Sequence, residues 1–209
     1  MSNVLAVIGI LGSTLLLIAD LALVYTPLPA KEFNVFSASV GKSPRRLIWG
    51  GLLGVFAIPF VIAGFGCIYV NLQPAGPWLS VPPVILGAFA YVIGAGFHAA
   101  IPFFVAAIQA NPSPEARTSP PLSTMWPVFR ALQTALFVTV AASSVWLLVS
   151  VLSGSTLYPR WTAALSPAVT GLFLRVLTRL SPPRVVGVLF PAANNLTMLI
   201  FLAASLAAT

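Results

Sequence analysis

Two ionisable side chains lie inside apolar stretches of this sequence, and they are the residues best placed to do chemistry. Asp20 interrupts an aliphatic segment, and His98 is the only histidine. An ionisable group within a membrane-spanning helix is costly, so each is a candidate functional residue. Pro102 follows His98 by four positions, and a helical proline frees the carbonyl group four residues before it. One helical turn therefore offers an imidazole and a free backbone acceptor.

Acid chemistry is the function that these two groups suggest. Removal from water disfavours the charged form of a carboxyl group. Asp20 is therefore expected to be a neutral acid that protonates an alkene, opens an epoxide or acts on a lipid headgroup. His98 would orient that acid or reload its proton, and aromatic faces would stabilise a carbocation. The structural alternative pairs Asp20 with Arg130 or His98 and makes the imidazole an interhelical hydrogen-bonding group.

Other polar residues are candidates for substrate binding at the same site. Tyr91 precedes His98 by seven residues and therefore shares its helical face. Tyr25 follows Asp20 at the end of the same apolar segment. Asn194-Asn195 either bind a substrate or satisfy the backbone groups that a nearby proline frees.

Basic residues supply the remaining candidates. Arg45 and Arg46 are either topology signals or an anion clamp at the mouth of a cavity. Arg130 lies in the first turns of a predicted helix, so it is within reach of a site on that side. The predicted catalytic residues are Asp20 and His98, and the predicted substrate-binding residues are Tyr25, Tyr91, Asn194, Asn195, Arg130, Arg45 and Arg46.

The composition shows which kind of protein positions these groups. Charged residues make up 6% and apolar residues 59% of the chain, against about 25% and 45–50% in soluble domains. At about 20 residues per crossing, 209 residues accommodate about six helices. The predicted fold is an all-α polytopic transmembrane helix bundle of five to seven spans, forming a single domain over residues 1–209.

Six helices are predicted from the apolar runs and their proline-rich breaks. Most basic residues, Arg117 included, fall in or beside the first, third and fifth connectors. The positive-inside rule then places these connectors in the cytoplasm and both termini outside the cell membrane. Tyr158-Pro159-Arg160-Trp161 is typical of an interfacial anchor. The predicted helices cover residues 4–25, 47–70, 83–109, 125–153, 162–180 and 185–208.

Depth along the predicted helices brings the candidate residues together. Asp20 lies roughly 24 Å into a core of about 30 Å, and His98 is at a similar depth. Arg130 lies roughly 8 Å and Asn194-Asn195 roughly 14 Å from the cytoplasmic side. Four helices are therefore expected to converge in the cytoplasmic half of the bundle.

Several function classes are disfavoured by the residue inventory. One histidine and one cysteine cannot build a His/Cys metal site, so no metal is expected. Lys31 and Lys42 both lie in a connector, which does not support a Schiff base within the bundle. The sequence contains no P-loop, dinucleotide fingerprint or GxSxG motif, and no cofactor is expected. The net charge of +7 is attributed to topology and contacts with anionic membrane lipids rather than to nucleic acid.

Four short motifs carry a resemblance that spans the chain. As a set they resemble a family of small bacterial six-helix membrane proteins without assigned function. In size and style the chain is also similar to the integral membrane terpene cyclases of bacterial indole-sesquiterpenoid and fungal meroterpenoid pathways. The motifs are Ile18-Ala19-Asp20-Leu21 with Tyr25, Gly96-Phe97-His98-Ala99, Tyr158-Pro159-Arg160-Trp161, and Asn194-Asn195.

The cyclase resemblance implies a role for an intramembrane carboxylate. Those enzymes use such carboxylates to protonate a prenyl chain or its epoxide, which implies an acid role for Asp20. The fungal pattern has two carboxylates on separate helices. Here the second carboxylate would be Glu32, in a connector, or would be absent.

Three functions are consistent with these residues. The first is a membrane enzyme that acts on an isoprenoid or other lipid, most sharply a cyclase started by protonation. The second is a transporter or lipid-binding protein with the same polar cluster as its ligand site. The third is a structural or assembly subunit, in which Gly50 and Gly54 pack against a partner and no cavity exists.

Overall fold

The structure is a computed structural model that describes residues 2–32, 35–110, 120 and 122–208. Glu115 and the topology signal Arg117 lie outside these residues. The described part of the chain is helical and contains no strand. Short 3-10 helices cover Ala30–Glu32, Gln73–Ala75 and Arg160–Leu165. The α-helices are α1 (Ser2–Val24), α2 (Val35–Ser39), α3 (Pro44–Leu72), α4 (Pro77–Ala110), α5 (Leu122–Leu152), α6 (Pro167–Leu180) and α7 (Pro183–Ala208).

Five of these helices are long and apolar enough to cross a membrane, namely α1, α3, α4, α5 and α7. The chain is thus a multi-pass membrane protein, and the predicted all-α bundle of about six spans is confirmed. The helices α1, α3, α4, α5, α6 and α7 alternate in direction along the chain. We call one end of the bundle the basic end: α1, α4 and α6 finish there, and α3, α5 and α7 begin there. The opposite end is called the terminal end.

The fifth predicted helix, 162–180, is shorter in the structure. α6 has 14 residues and begins only at Pro167, so it is roughly 21 Å long. Ser166 is extended, with φ −59° and ψ 150°, because the residue before a proline is disfavoured in the helical region. A 3-10 helix, Arg160–Leu165, completes the passage from the terminal end.

Prolines and one serine account for several helix starts. α3, α4, α6 and α7 each begin with a proline, a residue whose missing N–H costs nothing in the first turn. Ser43 caps α3, and its side chain accepts a hydrogen bond from the backbone N–H of Arg46. Gly76 has a φ of 86° and turns the chain between α3 and α4.

Close contact between α1 and α3 is made by glycines. A β-carbon placed on Gly9 would lie 2.5 Å from the Cα atom of Gly64, and one on Gly12 would lie 2.6 Å from the backbone nitrogen of Val61. Nearer the basic end, a β-carbon on Gly50 would lie 2.8 Å from Leu23 Cγ. The two helices therefore touch along most of their length, as small residues allow in membranes.

The motif predicted an interfacial position for Tyr158, but its side chain lies inside the bundle. Its side chain is buried, with the hydroxyl 3.0 Å from Ser205 Oγ and the ring packed against Phe201. Only Trp161 of that motif keeps an exposed apolar ring. The contacts of Tyr158 thus attach the segment before α6 to α7. Burial of its aromatic ring stabilises the protein more than an interfacial position would.

We expect Gly9→Ala to lower the thermal stability of the protein in detergent. The added methyl group would meet the α3 backbone at Gly64, and such overpacking costs about 1–3 kcal/mol. Gly96→Ala is the matched control, since nothing lies within 4 Å of a β-carbon there. Equal melting temperatures for the two variants would contradict the close α1–α3 contact.

Candidate functional site

Three helices each contribute one polar side chain to a buried cluster, Asp20 from α1, His98 from α4 and Asn195 from α7. Asp20 Oδ1 lies 3.4 Å from His98 Nε2. Asp20 Oδ2 accepts a hydrogen bond of 2.6 Å from Asn195 Nδ2. The side chain of Asp20 is 17% exposed and that of His98 9%. The expected meeting of the lone intramembrane carboxyl group with the imidazole is thus confirmed.

Glycine on α3 makes room for the imidazole. His98 packs against Gly54, where any β-carbon would overlap the ring. Gly51 meets the carbonyl oxygen of His98 and the ring of Pro102, each 2.8 Å from the position of its β-carbon. Gly51 and Gly54 therefore contact α4 of the same chain. The third hypothesis had instead assigned Gly54 to a contact with a partner.

The surroundings of His98 Nδ1 bear on where its proton lies. This buried nitrogen has no hydrogen-bond partner within the described residues. A buried N–H without an acceptor is costly, so a hydrogen on Nε2, toward Asp20, is favoured over one on Nδ1. Both oxygens of Asp20 then face a donor, Nε2–H of His98 on one side and the Asn195 amide on the other.

A cavity of about 940 Å³ opens beside this cluster. It is bounded by α1, α3, α4, α5, α6 and α7. Pro183 and Met198 of α7 both line it, and the fifteen residues between them correspond to roughly 22 Å. The length of the cavity therefore suits a chain-shaped molecule. Its aromatic lining consists of Phe65, Tyr91, Phe97, Phe137 and Phe190.

Polarity changes along the cavity. Toward the terminal end the walls are mostly apolar, with Leu16, Ile58 and Met198, and also carry the hydroxyl groups of Ser143, Ser144 and Thr197. Asp20 and His98 lie in the middle. At the basic end the lining includes three cationic residues, which we call the basic mouth: Lys31, Arg175 and Arg179.

Five predicted site residues line this cavity. Asp20, His98 and Asn195 form its polar cluster, and Tyr91 and Asn194 lie on its wall. The Tyr91 ring packs edge-on against Phe65 with centroids 5.7 Å apart. The side chain of Asn195 is buried, whereas Asn194 is exposed toward the open space.

Tyr25 and Arg130 do not line the cavity. Tyr25 follows Asp20 by five residues, which rotates it about 140° away around a helix. Arg130 is exposed, and its guanidinium lies 5.6 Å from the centre of the Trp126 ring. Depth was therefore a poor guide for Arg130, because the depth of a residue does not fix the direction of its side chain.

The expected anion clamp of Arg45 and Arg46 is not at the cavity either. Arg46 donates to the backbone oxygens of Ala22 (2.6 Å) and Leu21 (2.9 Å), so its charge meets the carboxyl end of α1. Arg45 is exposed outside the cavity lining. Glu32, the possible second carboxylate, is also exposed and outside the lining.

The basic mouth was not predicted as a binding surface. Arg175 and Arg179 were interpreted as topology signals near the end of a weakly defined helix. Their spacing of four residues was the available signal, since such residues are neighbours on one helical face. Lys31 gave no comparable signal, because its position depends on the path of the connector.

Possible metal ligands are sparse in the described part of the chain. No group of three or more His, Cys, Asp or Glu side chains occurs there. Cys67 lies away from the cavity, with its sulfur 3.4 Å from Ser2 Oγ and 3.6 Å from Asn71 Nδ2. Asp20 and His98 thus act as a pair, joined by Asn195.

The chain belongs to a family of unknown function, DUF6796, whose model matches residues 1–209. No curated protein and no solved structure matches the chain. The predicted resemblance to a membrane protein family without assigned function is therefore confirmed. The function must be argued from the site itself.

Replacement of Asn195 by leucine should destabilise the protein more than the same replacement of Asn194. Asn195→Leu removes the donor to Asp20 Oδ2 and leaves a buried acceptor unpaired, which costs about 1–3 kcal/mol. Asn194 is exposed to the cavity, so Asn194→Leu serves as the control. Thermal unfolding in detergent measures both. Equal melting temperatures would show that the amide of Asn195 does not hold the carboxyl group.

Proposed function

We propose that this member of the DUF6796 family is an integral membrane enzyme that acts on an isoprenoid or other lipid within its cavity. The most specific version of this proposal is a cyclase in which Asp20 protonates the substrate. The observation that carries the proposal is the position of Asp20. Its carboxyl group is held by His98 and Asn195, yet it remains partly exposed on the wall of a long apolar cavity.

The hydrogen bond from Asn195 and the contact with His98 leave Asp20 able to act as a proton donor. A third lone-pair direction of its carboxyl group is left for the acidic proton, which can point into the cavity. After transfer, His98 Nε2–H and the Asn195 amide stabilise the carboxylate that remains. Asp20 is the catalytic residue in this proposal, and His98 and Asn195 are positioning residues.

The proposed reaction is balanced without a co-reactant. The proton of Asp20 bonds to one carbon of an alkene, whose π electrons form the new C–H bond and leave a carbocation at the other carbon. A second double bond of the same chain attacks that cation and closes a ring. Loss of a proton to the Asp20 carboxylate forms the final double bond and restores the acid. The product is an isomer of the substrate.

The walls of the cavity fit such an intermediate. Phe65, Tyr91, Phe97 and other aromatic side chains line it, and their ring faces attract cations. Apolar walls also exclude water, which would otherwise capture the carbocation. Asn194 is available to a polar group of the substrate.

We place the basic end of the bundle at the cytoplasmic side of the cell membrane, following the positive-inside rule. The cavity reaches that end, where Ser181 and Pro183 belong to its lining. A lipid would therefore enter from the inner leaflet, with membrane lipids as its source and surroundings.

A transporter or lipid-binding protein is the alternative function, and it would need a route to the other side of the membrane. Beyond Leu147 and Met198 the helices pack into an apolar cluster that closes the terminal end. This cluster favours chemistry in a pocket over passage through the bundle. It includes Ile68, Leu72, Val151, Tyr158, Phe201 and Leu202.

Asp20→Asn should abolish product formation and leave the fold intact. Asparagine keeps the shape of the side chain but has no acidic proton, and loss of a general acid costs about 100-fold or more in rate. Glu32→Gln, at an exposed carboxylate outside the cavity, is the control. Lipids copurified with the protein, identified by mass spectrometry, supply the substrates for product analysis in proteoliposomes.

Product formed by Asp20→Asn at the wild-type rate would overturn the proposal. Movement of an unchanged lipid across the proteoliposome membrane, equal in the wild type and in Asp20→Asn, would instead support the transporter. Circular dichroism and gel filtration confirm that the compared variants are folded.

A further inference from the structure

We infer that the basic mouth binds a phosphate or diphosphate headgroup, so that the substrate is an anionic amphiphile whose chain reaches Asp20. This inference rests on the proposed function and specifies its substrate class. The observation behind it is that Lys31, Arg175 and Arg179 line the same cavity as the acid cluster. A neutral hydrocarbon would leave these cations without a partner.

The two arginines are arranged to act together. Arg175 and Arg179 are four residues apart on α6 and therefore project from one helical face. Thr178 also lies there, but its hydroxyl donates to the backbone oxygen of Leu174. The guanidinium groups thus supply the strongest donors of this wall, and their planar fork matches phosphate oxygens in a bidentate manner.

Within the part of the chain that the structure describes, no carboxylate pairs with the cations of the mouth. Among residues 2–32, 35–110, 120 and 122–208, the carboxylates are Asp20 and Glu32. Asp20 is engaged with His98 and Asn195, and Glu32 is exposed outside the cavity lining. No ion pair with either arginine occurs within those ranges. Three cations facing one space match a group with two or more negative charges, as a phosphate monoester or diphosphate carries.

Membrane topology alone does not require cations inside a cavity. Lys42, Arg45, Arg46 and Arg184 lie at the same end of the bundle and outside the cavity lining. Lys42 donates to Thr26 Oγ1, and Arg46 donates to the end of α1. These residues suffice for the positive-inside signal, so the cations of the mouth have a separate purpose.

The distance between the mouth and the acid determines which part of the substrate reacts. Gly171 of α6 lies beside Thr197 of α7, so in this antiparallel pair Arg179 is level with a residue six positions before Asn195, which is roughly 9 Å along the helix. A headgroup bound by Arg179 therefore lies on the basic side of the proton donor. The proton is delivered to a distal double bond or epoxide of the chain, and the phosphate ester is retained in the product.

The test compares two double variants that each remove two positive charges. Arg175→Gln/Arg179→Gln changes the mouth, and Arg45→Gln/Arg184→Gln changes the same end outside the cavity. Farnesyl diphosphate, farnesol and inorganic pyrophosphate are the probes, and binding to the full chain in detergent is measured by calorimetry. Arg175→Lys/Arg179→Lys keeps the charge but removes the planar fork, so an intermediate affinity is expected.

We expect the wild type to bind farnesyl diphosphate about tenfold or more tightly than farnesol or inorganic pyrophosphate. The mouth variant should lose about tenfold in affinity for farnesyl diphosphate, and the control should change less than about twofold. Equal affinity for farnesyl diphosphate and farnesol would overturn the inference. So would equal losses in the mouth and control variants, or binding of pyrophosphate as tight as that of the lipid.

The two proposals can fail separately. Asp20→Asn should bind farnesyl diphosphate like the wild type, since asparagine keeps the size of the side chain and the cations of the mouth are unchanged. Normal binding by the mouth variant, combined with loss of turnover in Asp20→Asn, would remove the headgroup site and keep the acid. The reverse pattern would remove the acid chemistry and keep an anionic lipid site.

Discussion

The close approach of α1 and α4 to α3 is the constraint on which the site depends. Gly50 lets α1 approach one face of α3, while Gly51 and Gly54 let α4 approach another. Ordinary helix pairs have axes 8–10 Å apart. Because glycine removes the side chains between these helices, Asp20 and His98 meet directly across the surface of α3. A methyl group at Gly54 alone would occupy the space of the imidazole.

The polar cluster links the stability of the bundle to its chemistry. A carboxyl group out of water needs donors, and Asp20 obtains them from α4 and α7. Each donor comes from a different helix, so the carboxyl group also fixes the arrangement of the three helices around it. In the proposed function, the residual exposure of Asp20 on the cavity wall lets the acid reach a substrate.

The level of a residue along the bundle could be predicted from this sequence, whereas its direction around the helix could not. The constant rise of a helix predicted equal levels for Asp20 and His98, and the structure brings these two side chains together. Arg130 was placed near the site by the same reasoning, but its side chain is exposed outside the cavity lining. Arg175 and Arg179 lie on a helix that was predicted, but their spacing of four residues was not recognised as a binding surface.

The proposed reaction also restores its own acid. His98 Nδ1 faces Gly54 and has no hydrogen-bond partner in the described part of the chain. In the proposed function His98 positions Asp20, and its role in reloading the proton stays a prediction. The proposed cyclisation needs no outside supply of protons, because the final carbocation returns a proton to the carboxylate that began the reaction.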